Sequence, residues 1–110
     1  MANKNLTAYN ITAPTVIAPP TPSNPITGLV GYAPQTLPSS SSNTGNLVIN
    51  DCATLAEANA SNQILSDAGD AVQGHLGSSA VNVPLANGLV ISEVPTGMVL
   101  TVEYSVFVVG

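Results

Sequence analysis

Seven of the nine prolines in this 110-residue chain fall before residue 47: Pro14, Pro19, Pro20, Pro22, Pro25, Pro34 and Pro38. Proline lacks a backbone N–H and holds φ fixed, so a run this dense forbids a helix of useful length and rules out a central strand. Each residue before a proline is also pushed toward extended geometry. The stretch SSSSNTGN, Ser39 to Asn46, then reads as a flexible linker. Yet Leu6, Tyr9, Ile11, Val16, Ile17, Ile26, Leu29, Val30, Tyr32 and Leu37 are scattered through the same segment. Disordered tails are poor in such residues and rich in charge. The segment is therefore expected to be an extended arm over residues 1–46, lying along a partner or a neighbouring copy. Its partner-binding side chains are predicted to be Val16, Ile17, Ile26, Leu29, Val30 and Tyr32.

The pattern changes near residue 50. The run DCATLAEANASNQILSDAGDAVQ is Ala-rich, and a helix is predicted over about 52–68, with a stretch of loop carrying one short helix as the alternative. Asp51 is the expected N-cap, and Thr54 with Glu57 has capping-box spacing. Ala53, Ala56, Ala60, Ile64, Ala68 and Ala71 recur at steps of three and four, while Asn59, Ser61, Asn62 and Ser66 work against the helix. Gly69 or Gly74 would end it.

Beyond it the signals are those of strands. Asn87-Gly88 is a tight-turn pair, and Pro95-Thr96-Gly97 marks a second turn whose glycine is free to take positive φ. Met98, Leu100, Val102, Tyr104, Val106 and Val108 alternate with Val99, Thr101, Glu103, Ser105, Phe107 and Val109. Period-two alternation with β-branched enrichment predicts a strand buried on one face. Leu47-Val48-Ile49 and Ala80-Val81-Asn82-Val83 are further short strands. The expected fold is mainly β: a small antiparallel sheet, sandwich or barrel over 47–110, with one short helix and the long Pro-rich N-terminal arm. No internal repeat is present.

Charge narrows the function. Lys4 stands alone against Asp51, Glu57, Asp67, Asp70, Glu93 and Glu103, for a net charge of −5. Charged residues make up 6% of the chain, against about 25% in an ordinary soluble domain. Nucleic-acid binding needs several cations to release phosphate counterions, and an anionic membrane needs them too, so neither partner is expected. No secretory apolar run and no spanning segment of about 20 apolar residues occurs, which predicts synthesis and release in a cytoplasm.

The same scarcity argues against an enzyme. His75, the sole histidine, sits among glycines in QGHLGSS, and every Ser–His or Cys–His scheme would have to run through it. Asp67 and Asp70 in SDAGDA fall short of the oxygens a calcium loop collects. Glu93 and Glu103 read as solubility or edge-protecting charges. Cys52, the only cysteine, has no disulfide partner within the chain and is expected to be a small buried residue. Asn5-Leu6-Thr7, Asn10-Ile11-Thr12 and Asn59-Ala60-Ser61 match glycosylation acceptors but lack the export signal that would make them meaningful. No catalytic, metal or cofactor residues are assigned.

A small β domain with a long, Pro-rich, nearly uncharged arm resembles the capsid decoration (cement) proteins of tailed bacteriophages. The resemblance lies in length, layout and compositional style, and no residue motif carries it. It implies a virion protein on the outer capsid surface, made in a host cytoplasm. Such a protein braces neighbouring capsid subunits, often as a trimer, with the major capsid protein and copies of itself as partners. The alternative is a subunit of a surface filament, sheath or adhesin that assembles by strand addition.

Overall fold

The structure, a computed structural model, describes residues 2–19, 25–36, 45–68 and 79–108. The described residues form the strands β1 (Ala2–Ile11), β2 (Thr15–Ile17), β3 (Ile26–Thr36), β4 (Asn46–Asn50), β5 (Gln63–Ala68), β6 (Ser79–Pro84), β7 (Leu89–Glu93) and β8 (Met98–Val108). They sort into two four-stranded sheets, ordered β1-β8-β3-β6 and β2-β7-β4-β5, with every pairing antiparallel. Successive strands change sheets at every connection except β4 to β5. Two antiparallel sheets connected in this way make an eight-stranded jelly roll. The mainly β, antiparallel fold expected from the sequence is what the chain forms, and of the sheet, sandwich and barrel left open it is the sandwich.

β8 is the ruler of the first sheet. Met98, Leu100, Val102, Tyr104 and Val106 are all buried, at 8% exposure or less, so the alternation in the sequence is the alternation of the core. Its two neighbours fit this regular strand through bulges. β1 carries one extra residue between Ala8, opposite Val102, and Ile11, opposite Leu100. β3 carries two, one between Ile26 and Gly28 and one between Leu29 and Gly31. Each bulge returns the next large side chain to the inner face, so Ile26, Leu29 and Tyr32 reach the core at a spacing of three. Across the sandwich, Ile17, Leu47, Ile49, Leu89 and Ile91 complete the same cluster from the second sheet.

These pairings correct the division into an arm over 1–46 and a body over 47–110. β1, β2 and β3 are strands of the body, and β3 lies between β8 and β6. Of the six side chains predicted to fasten a partner, Ile17, Ile26, Leu29 and Tyr32 are core residues. Val16 is 42% exposed and Val30 half-buried. The proline argument failed because a missing N–H matters only where a neighbour needs it. Pro34 pairs with β8 beyond Tyr32, the last β3 residue to face β6 among the described residues. Most of the SSSSNTGN linker and Leu37 lie outside the described residues.

The helix predicted over 52–68 is also corrected. The chain makes two single 3₁₀ turns, Leu55–Glu57 and Ala60–Asn62, and then enters β5. The caps are present on a smaller scale. Thr54 Oγ1 donates to Glu57 Oε1 at 2.9 Å, and Asn59 and Asn62 form a reciprocal capping box. Asn59 sits extended at φ −155°, which ends any continuous helix. Pairing of Gln63–Ala68 with β4 then outweighs a weak helical preference.

Candidate functional site

The two outer sheet faces are treated differently by the fold. On the second sheet, Val48, Asn50 and Val90 point away from the core and are nevertheless buried. The segment between β4 and β5 folds back over this side, and its first 3₁₀ turn packs on β7. Asn50 holds that cover in place. Its Nδ2 donates to the Asn59 carbonyl at 3.1 Å and to Asn62 Oδ1 at 2.7 Å, while Ser92 Oγ donates to its Oδ1. A buried amide of this kind is stabilising only when fully partnered, and this one is.

The outer face of the first sheet has no described element over it. Residues opposite one another across an antiparallel pair share a face, so the register defines this surface. β8 contributes Val99, Thr101, Glu103, Ser105 and Phe107. Asn5 and Thr7 of β1 lie opposite Ser105 and Glu103. Gly28, Gly31 and Ala33 of β3 lie opposite Ser105, Glu103 and Thr101. Glu103 is exposed, and the others from β8 are half-buried. Thr27 Oγ1 lies 3.0 Å from Ser105 Oγ, and a Cβ on Gly28 would crowd that hydroxyl, so glycine lets the strands close up here. The bulge in β1 leaves Tyr9, 69% exposed, at the end of the row of Asn5 and Thr7. The surface is mostly uncharged and small in side-chain volume at its middle, with two aromatic rings, Phe107 and Tyr9.

Of the six residues predicted to bind a partner, Val16, Ile17 and Ile26 meet at one end of the sandwich. They line a cleft of about 310 Å³ with Pro25, Ala53 and Leu89. Val30 instead lines a hollow of about 260 Å³ with Thr27, Asn82 and Ser105, on the outer side of the first sheet. The face as a whole was not singled out from the sequence. Its signal was present in the polar half of the β8 alternation, Val99 to Phe107, but which strands flank β8 was not legible.

The ionisable groups are dispersed. Asp51 Oδ1 accepts from the backbone N–H groups of Ala86 (3.2 Å), Asn87 (2.8 Å) and Gly88 (3.2 Å), and its Oδ2 from Ala86 (3.1 Å). It therefore pins the β6–β7 connection rather than capping a helix. Glu93 Oε2 accepts from the Asn46 amide at 2.8 Å. Burial pushes the Cys52 thiol up, with the Glu57 carboxylate adding to the effect. No group of three or more His, Cys, Asp or Glu gathers to hold a metal among the described residues. His75 and Asp70 lie outside them. None of the described helical turns is long and apolar enough to cross a membrane. Compared with known proteins, the chain matches no family model, no curated protein and no solved structure.

Proposed function

We propose that this chain is a structural subunit of a virion, a decoration (cement) protein that braces neighbouring capsid subunits through the outer face of its first sheet. The observation that carries the reading is the contrast between the two faces. One is covered by the chain's own loop; over the other no element lies among the described residues, and Glu103 is its one described charge. The half-buried Ala33, Thr101 and Ser105 keep the middle of this face low, and Tyr9 supplies the kind of aromatic anchor that interfaces favour. The jelly roll itself is an architecture that viral capsid domains use, though it also serves lectins and cupins. Attachment in this reading belongs to the folded body, with the capsid protein and neighbouring copies as its partners.

The test is to look for the chain in purified particles and then to crowd the face. Peptides of this chain should co-sediment with capsids, and Thr101→Arg should abolish its occupancy while circular dichroism and melting stay as in wild type. Ala60→Arg, on the exposed cover of the other sheet, should bind normally. Recovery of the chain in a cell-envelope filament would replace this reading with the strand-addition alternative. Full occupancy of the Thr101→Arg protein would reject the face.

A further inference from the structure

The chain holds a single Asn-Gly pair, Asn87-Gly88, and its geometry makes the pair unavoidable on the glycine side. Gly88 sits at φ +149°, and a Cβ there would drive into the carbonyl oxygen of Cys52. Only glycine lets the β6–β7 connection lie this close to the loop after β4. Asn-Gly is also the dipeptide most prone to spontaneous deamidation, because glycine does not hinder attack by its own backbone nitrogen. Asn87 is exposed, and its side-chain amide has no hydrogen-bond partner among the described residues. In a free loop this pair would be a chemical weak point.

We infer that Asn87 is a latent deamidation site and that the Asp51 carboxylate is its guard, acting through the Gly88 N–H. In the reaction the Gly88 nitrogen gives up its proton to hydroxide or buffer base and attacks Asn87 Cγ. The N–Cγ bond forms, the Cγ–Nδ2 bond breaks, and ammonia leaves a five-membered succinimide. Water then opens the ring at either carbonyl, so that asparagine and water become aspartate or isoaspartate and ammonia. Asp51 Oδ1 accepts that same Gly88 N–H at 3.2 Å, together with those of Ala86 and Asn87. Removing the proton would place a nitrogen anion against a carboxylate, which like-charge repulsion opposes. Three convergent N–H groups on one oxygen also restrain the turn, and the attack must bend the chain against those bonds. Once the turn opens, both restraints vanish together.

The experiment follows deamidation by peptide mapping, with isoaspartate as the signature, during incubation at mildly alkaline pH. The folded wild type should react about tenfold or more slowly than the same protein in urea. Asp51→Ser, checked by circular dichroism to be folded, should move toward the urea rate, and Asn87→Ser should remove the signal and so assign it. The Gly88 amide of the wild type should be protected in hydrogen exchange, a measurement that needs no variant. Equal rates in the folded and urea-unfolded wild type, an unprotected Gly88 amide, or a folded Asp51→Ser protein as slow as wild type would each overturn the inference.

Discussion

Cys52 is 4% exposed, and its Sγ donates to the Thr54 carbonyl at 3.3 Å, directly after the carboxylate that pins the Asn87-Gly88 turn. Burial opposes ionisation of the thiol, and Glu57 and Asp51 oppose it further. The folded pKa is therefore raised above the unfolded value of about 8.5. The stability linked to it is complete below that value and is lost as pH climbs toward the folded pKa, because the unfolded chain ionises first. Cys52→Ala should lower stability by about 1–2 kcal/mol at neutral pH, and its urea midpoint should then fall less steeply between neutral and alkaline pH than that of wild type. Thiol reagents should label the wild type only on unfolding. Rapid labelling of the folded protein at neutral pH would contradict the burial argument.

Among the elements, β3 is the one most at odds with its sequence. Its inner residues Ile26, Leu29 and Tyr32 recur every third position, a spacing that belongs to no regular strand. The extra residue in each interval is a bulge set by β8, so the pattern makes sense only once the partner strand is known. This is why residues 1–46 resembled an arm. Removing residues 1–40 takes away β1, β2 and β3, and with them Ile11, Ile17, Ile26, Leu29 and Tyr32. At roughly 1.5–3 kcal/mol for each buried side chain, the loss approaches the whole stability of a domain, about 5–15 kcal/mol. The truncated chain should give an unfolded circular dichroism spectrum without a cooperative urea transition. A folded remnant would reinstate the arm.

For the whole molecule, the sparse charge has a direct consequence. The candidate face carries one charged side chain, Glu103, among those described, so docking through it depends on apolar and neutral polar contacts. Screening at high ionic strength shortens the reach of charges and leaves such contacts in place. Under the proposed capsid reading, retention of the chain on capsids should therefore persist when salt is raised from physiological to molar levels, as followed by sedimentation. Release in molar salt would point to an electrostatic dock instead.

The amino-acid sequence by itself determined β8, β4 and β6, the turn at Pro95–Gly97, where Gly97 takes φ +79°, and the isolation of Cys52. Each rests on information a few residues long: alternation, a turn pair, a missing partner. Tertiary structure decided the rest. Asn87-Gly88 turns the chain as expected but joins strands of opposite sheets, since Leu89 and Ile91 fill the far side of the core. Asp51 carries a carboxylate suited to a helix cap, and the fold spends it on three amides some 35 residues further along. Residues 63–68 became a strand because β4 offered an open edge, and the bulges of β1 and β3 exist because β8 is regular. In a jelly roll nearly every strand pairs with one distant in sequence, so local propensity proposes the elements and only the assembled core selects their partners and faces.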